Sequence, residues 1–196
     1  LTATGAGGIT SVAVKGPNYF YTNVDMTTNG GDIILWSNTE NATSGTANNP
    51  VVLAGSNDLS TSGGKIIIAG GLDDKLADGT PGSDGIPDGY TYRTVNDTLR
   101  SAHLGAAVNL NSAGGDIIIR GQGGGVGVGF AGSFTVDAGA GDLLLRGLSS
   151  YEDGVLLSTG ASTTGRLTTS SGNITVIGLS DPGAAGSTFA RTGVRT

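Results

Sequence analysis

The residues of this chain that could do chemistry are few, and most are acidic. Between Gly71 and Arg100 stand Asp73, Asp74, Asp78, Asp84, Asp88 and Asp97. Within that stretch, Asp84-Gly85-Ile86-Pro87-Asp88-Gly89 is an acidic loop turned by glycine. Ca2+ collects about six to eight oxygens from carboxylates and carbonyls on loops of this kind. Asp74, Asp78, Asp84 and Asp88 are therefore the candidate calcium ligands, set against the plainer reading of an acidic, solvated loop.

The other candidates reduce to structure. His103 is the only His and there is no Cys, whereas a zinc site takes about four N, S or O ligands. His103 reads as a surface or loop residue. Gly127-Val128-Gly129-Phe130-Ala131-Gly132 has the G-x-G-x-x-G spacing, but a pyrophosphate cradle needs a helix N-terminus after the turn. The next residues, Ser133-Phe134-Thr135-Val136, read as a strand. Polysaccharide-degrading sites need clustered carboxylates. Here Asp32, Asp116 and Asp142 instead recur at one turn position, shared with Lys65 and Asn173, which predicts Asp or Asn side chains bonding local backbone N–H groups. Arg120 and Arg146 come just after predicted strands and read as ion-pairing residues. Tyr19, Phe20, Tyr21, Trp36, Tyr90 and Tyr92 are the aromatics that could stack on sugar rings, or simply cover apolar surface. No enzymatic activity and no resident cofactor other than calcium is expected.

Composition says what must position these residues. Gly makes up 37 of 196 residues, roughly 19% against a usual ~7%. Charged residues are 13% and the formal net charge is -6. Low charge and frequent Ile, Val and Leu exclude simple disorder. Gly keeps no three-residue period, which excludes collagen. No apolar run approaches ~18 residues, so no membrane span is expected. Ten Lys and Arg in an acidic chain leave no basic footprint for nucleic acid. Gly, Ser, Thr and Asn interrupt every apolar run and disfavour helix.

One motif returns along the chain. Gly30-Gly31-Asp32-Ile33-Ile34-Leu35 recurs as Gly63-Gly64-Lys65-Ile66-Ile67-Ile68, Gly114-Gly115-Asp116-Ile117-Ile118-Ile119 and Ala140-Gly141-Asp142-Leu143-Leu144-Leu145. A weaker copy is Ser171-Gly172-Asn173-Ile174-Thr175-Val176, and Gly7-Gly8-Ile9-Thr10 is a degenerate first copy. First apolar residues at 9, 33, 66, 117, 143 and 174 give steps of 24, 33, 51, 26 and 31. Two further short strand-like segments fill several steps, such as Val51–Ala54 with Asp58–Ser60, and Val126–Phe130 with Phe134–Val136. Three short strands per step of about 25–30 residues predict an all-β fold, a parallel β-helix of about six coils. Stacked coils bury what each alone exposes.

Strand alternation sharpens this. Thr175 marks the outward parity, so Ile33, Leu35, Ile66, Ile68, Ile117, Ile119, Leu143 and Leu145 point inward. Ile34, Ile67, Ile118 and Leu144 then form an outward apolar stripe. Strands apolar on both faces belong to covered sheets, so a loop of this chain or a neighbouring molecule is expected over the stripe. The long step from 66 to 117 carries an acidic loop insertion at 71–100 between coils. The opening Leu1, with no charged region ahead of an apolar one, reads as part of something longer. Gly193-Val194-Arg195-Thr196 joined to Leu1-Thr2-Ala3-Thr4 resembles the internal stretch from Gly165, so 1–196 is expected to be a single β-solenoid segment, one period of a head-to-tail array.

These motifs, NGGDIILWSN at 29–38, SGGKIIIAGG at 62–71, SAGGDIIIRG at 112–121 and SSGNITVIGL at 170–179, resemble the β-strand-repeat regions of giant bacterial surface adhesins. Those are the filamentous-haemagglutinin-like exoproteins of two-partner secretion. The resemblance implies a right-handed parallel β-helix, secretion to the bacterial cell surface, and roles in adhesion, biofilm or surface filaments. Expected partners are copies of the chain itself, end to end or laterally, and surface glycans. A glycan-binding adhesin module and a β-helical polysaccharide-degrading enzyme are the alternatives.

Overall fold

The computed structural model describes residues 11–42, 48–76, 78–94, 100–157, 162–181 and 192–196. Among the described residues there is no helix. The strands, in chain order, are β1 (Val12–Lys15), β2 (Phe20–Thr22), β3 (Met26–Thr27), β4 (Ile33–Ser37), β5 (Asn48–Asn49), β6 (Val51–Leu53), β7 (Ser56–Ser60) and β8 (Ile66–Gly70). They continue as β9 (Thr91–Arg93), β10 (Ala102–Leu104), β11 (Ala107–Asn111), β12 (Ile117–Gly123), β13 (Val128–Phe130) and β14 (Ser133–Asp137). The last are β15 (Leu143–Ser149), β16 (Val155–Leu156), β17 (Gly165–Thr168), β18 (Ile174–Ser180) and β19 (Val194–Arg195).

Three sheets collect them. Sheet 1 has the order β1-β4-β8-β12-β15-β18, sheet 2 β19-β16-β13-β10-β6-β2, and sheet 3 β17-β14-β11-β7-β3. Sheets 2 and 3 are parallel throughout. Sheet 1 is parallel except where β5 meets β9. The chain visits sheets 1, 2 and 3 in turn and then returns to sheet 1, so each strand pairs with its counterparts from the previous and next visits.

Equivalent residues of the motif lie opposite one another. Ile33 faces Ile66, Ile66 faces Ile117, Ile117 faces Leu143, and Leu143 faces Ile174. The inward set expected from alternation, Ile33 through Leu145, is buried, with Val51, Leu53, Ala102, Leu104, Val128 and Phe130 of sheet 2 and Leu59, Leu110 and Val136 of sheet 3 packed against it. Phe130 and Phe134 stack with centroids 3.9 Å apart at the sheet 2–sheet 3 corner. β-branched side chains favour this pleated, interlocked surface.

The two glycines of the motif have different jobs. Gly30, Gly63 and Gly114 take positive φ of 89°, 104° and 126°, a conformation that costs glycine little. Gly64, Gly115, Gly141 and Gly172 stack one above another. A Cβ on any of them would come within 2.0–2.3 Å of the backbone oxygen of the preceding stacked glycine.

One expectation is corrected. Gly7-Gly8-Ile9-Thr10 lies outside the described residues, and the strand that pairs with β4 starts at Val12, opposite Ile33. The first step therefore runs from Val12 rather than from Ile9 and is shorter than the spacing of the motif implied. Within the expected insertion, 71–100, Thr91–Arg93 forms β9, and residues 95–99 lie outside the described residues. β8 pairs with Ile117–Ile119 of β12, and β9 pairs with Gly121–Gly123 of the same strand. One continuous strand thus faces two short ones, and the excursion between them is 71–90. With 71–90 set aside, the long step from Ile66 to Ile117 is level with its neighbours.

Candidate functional site

The outer face of sheet 1 is where the chemistry-bearing residues gather, because the 71–90 excursion leaves and re-enters through that sheet. Alternation points Lys15, Trp36, Ala69, Arg120, Arg146 and Ile177 outward. Lys15 lies opposite Trp36, and Trp36 opposite Ala69. Lys15 Nζ sits 3.6 Å from the Trp36 ring centroid, a cation–π contact. The Trp36 indole Nε1 donates to the Gly71 carbonyl at 2.8 Å. Farther along, Arg120 Nη1 donates to the carbonyls of Asp88 at 2.9 Å and Pro87 at 3.1 Å. Arg146 Cζ lies 5.7 Å from the Tyr90 ring centroid. The excursion is thus fastened at both ends to this face. Arg120 and Arg146 serve it through carbonyls and a ring rather than through the ion pairs expected of them.

The candidate calcium ligands are engaged separately. Asp88 Oδ2 accepts the backbone N–H groups of Lys75 at 2.8 Å and Asp74 at 3.0 Å. Asp78 Oδ1 accepts the Thr80 hydroxyl at 2.6 Å and its N–H at 2.9 Å. Asp84 Oδ1 accepts Ile86 N–H at 3.0 Å. Asp73, not one of the four, accepts Ser83 Oγ and the N–H groups of Asp84 and Gly85. The Ser83 hydroxyl and then those N–H groups outweigh slight desolvation and hold the Asp73 carboxyl below the usual carboxylate range. The Thr80 hydroxyl and N–H do the same for Asp78. Among the described residues no three His, Cys, Asp or Glu side chains converge as a metal site would require.

The four residues of the expected stripe lie in one register row: Ile34 faces Ile67, Ile67 faces Ile118, and Ile118 faces Leu144. Its cover is uneven. Ile67 is fully buried, whereas Ile34, Ile118 and Leu144 are half-buried. Ile118 and Leu144 line an open groove of about 360 Å³ with Asp116, Asp142 and Thr175.

Asp32, Asp116 and Asp142 bond across the stack rather than within their own turn, which corrects the local reading. Asp32 Oδ1 accepts Lys65 N–H at 2.7 Å, Asp116 Oδ1 accepts Asp142 N–H at 3.1 Å, and Asp142 Oδ1 accepts Asn173 N–H at 2.7 Å. Lys65, the exception in the series, pairs its Nζ with Asp116 Oδ2 at 3.0 Å. Asp116 is partly desolvated, which raises its pKa. The Lys65 hydrogen bond and charge with the Asp142 N–H reverse this and leave it lowered.

A hydroxyl partner escaped the motif. Thr28, Thr61, Ser112 and Thr169 each donate to the carbonyl of the glycine three positions on: Gly31, Gly64, Gly115 and Gly172. The signal was the Ser or Thr recurring at that fixed offset before the second glycine. Of the aromatics, Tyr19 and Tyr21 are exposed and stack at 6.1 Å, while Trp36 and Tyr92 are buried. Gly127, Gly129 and Gly132 flank or lie in β13, a strand as expected, and each has a neighbour a Cβ would strike. His103 is half-buried on β10, facing Gly129 of β13, rather than on a loop.

No family model, no curated protein and no solved structure matches this chain.

Proposed function

We propose that this chain is a stretch of right-handed parallel β-helix, about six coils long, that serves as a structural extracellular repeat segment of a bacterial surface adhesin or filament. The observation that carries the reading is the in-register column Ile33, Ile66, Ile117, Leu143, Ile174, repeated in kind along sheets 2 and 3. Parallel strands joined through successive sheets turn right-handed, and each level buries its apolar face only against the next. Nothing in such a stack depends on a reaction centre; its product is length and stiffness.

Phase supports partnership with further copies end to end. The passage from the start of a sheet 2 strand to the start of the next sheet 1 strand is equally long from Val51 to Ile66, from Ala102 to Ile117 and from Val128 to Leu143. It is slightly shorter from Phe20 to Ile33 and longer from Val155 to Ile174. From Val194 through Thr196 and Leu1 of a following copy to its Val12, the passage falls between the Phe20–Ile33 length and the common one. A head-to-tail copy would re-enter sheet 1 in phase. The test of function is location: antibodies against the purified chain should decorate the surface or fibres of intact producing cells. Decoration only after permeabilisation contradicts the proposal.

A second reading, a glycan-binding adhesin module, is favoured by the exposed Tyr19–Tyr21 pair. It expects Tyr21→Ala to abolish binding on a glycan array while leaving stability unchanged; an array with no binding contradicts it.

A further inference from the structure

Among the described residues, one buried side-chain polar atom has no hydrogen-bond partner: Nε of Arg100. Arg100 precedes β10, and its side chain lies across the outward side of β13. A Cβ on Gly129 would come within 2.3 Å of Arg100 Cδ and 2.4 Å of Nε. The missing side chain at Gly129 is what admits the guanidinium. Arg100 is 8% exposed. Of the five N–H donors of an arginine, one finds an acceptor among the described residues, Nη1 with His103 Nδ1 at 3.3 Å.

Glu152 attracts this cation through space more strongly than Arg195, a like charge, opposes it, and among the described residues neither makes a hydrogen bond to it. Asp153, next in sequence to Glu152, is committed elsewhere. Its Oδ2 pairs with Arg195 Nε at 2.8 Å, and its Oδ1 accepts the hydroxyl and N–H of Thr192. Burial, more than the Arg195 charge, pushes the Arg100 guanidinium below its ordinary range. Burial, then the charges of Arg100 and Arg93, push His103 down to about 4. The imidazole is therefore neutral at pH 7, with Nδ1 free to accept from Arg100.

A buried guanidinium N–H without an acceptor is costly, and native structures satisfy such groups. We propose that Arg100, on the outer face of sheet 2, anchors an oxyanion site that takes a carboxylate or a sulfate group. The guanidinium edge carrying Nε matches two oxygens of either group. The proposal stands independently of the structural role argued above.

The test titrates sodium sulfate, sodium acetate and a galacturonate oligomer into the purified chain, with sodium chloride holding ionic strength constant. Arginine Nε–H resonances are followed by NMR. The expected result is one resonance, absent from Arg100→Lys, that shifts saturably. Affinity should fall roughly tenfold or more in Arg100→Gln, the loss of one charge-assisted contact. Tighter binding of galacturonate oligomer than acetate assigns the site to an acidic polysaccharide; sulfate as the tightest ligand assigns it to sulfate groups. The absence of any saturable shift in the wild-type chain overturns the proposal, and is what Glu152 acting as counter-charge would produce. Equal affinity in Arg100→Gln overturns it as well. Should Arg100→Gln fail to fold, the wild-type titration decides alone.

Discussion

The indole Nε1 of Trp36 donates to the carbonyl of Gly71 at 2.8 Å, tying the first residue of the 71–90 excursion to the outer face of sheet 1. At its other end, Tyr90 lies against Gly70, where a Cβ would come within 2.4 Å of the Tyr90 oxygen. The excursion is thus a closed loop spliced into one strand level, with its two stems in contact.

Excising 71–90 and joining Gly70 to Thr91 should therefore leave the parallel sheets intact. Trp36 is the only tryptophan and is 5% exposed. Its fluorescence should move to longer wavelength as its cover is removed, while the far-ultraviolet β signal stays. Loss of the β signal would show that the excursion is needed for folding.

Glycine stacking predicts a sharp asymmetry. Gly115→Ala places a Cβ 2.1 Å from the Gly64 oxygen, a backbone clash that only a shift of neighbouring levels relieves. Such overpacking costs about 1–3 kcal/mol. Gly16 has nothing within 4 Å of its Cβ position and no positive φ, so Gly16→Ala should change stability by less than about 0.5 kcal/mol. Urea unfolding of both variants makes the comparison.

His103 makes stability depend on pH. Its folded pKa is about 4, lowered from 6.5 by burial first and then by Arg100 and Arg93. A base depressed on folding takes up its proton more readily when unfolded, so its contribution is complete above about 6.5 and is lost as pH falls toward 4. His103→Gln removes this linkage. Between pH 7 and 4 the wild-type chain should lose more stability than the variant; parallel curves would contradict the assignment.

Neighbouring residues on one strand separate the two faces of sheet 1. Ile119 is fully buried inward, so Ile119→Ala should cost about 2–5 kcal/mol. Ile118, outward and half-buried, should cost clearly less when changed to Ala. Denaturant midpoints at unchanged slope report both.

Much of this architecture was legible because the motif states it twice, once in spacing and once in parity. Ile117-Ile118-Ile119 alone is ambiguous, but Thr175 in the equivalent place of a weaker copy identified the outward side, and the burial of Ile117 and Ile119 follows that parity. The placement of β9 was not legible. Thr91–Arg93 carries no motif, and its strand character comes from pairing with Gly121–Gly123, a contact across the excursion that no local pattern encodes. The Asp residues were read correctly as backbone-binding and wrongly as local. A side chain one level below an N–H is near it only in the stacked structure, as Asp142 is to Asn173. Arg100 was invisible for the same reason: its burial depends on Gly129, which is one strand level away in the stack and distant along the chain.

The most direct measurement of the central claim is cryo-electron microscopy of two copies joined head to tail, Thr196 to Leu1, beside the single chain. A continuous stack predicts one straight rod, longer than the single chain by roughly 29 Å for six levels at about 4.8 Å each, with unbroken density in all three sheets across the join. Two separate bodies on a hinge would contradict it.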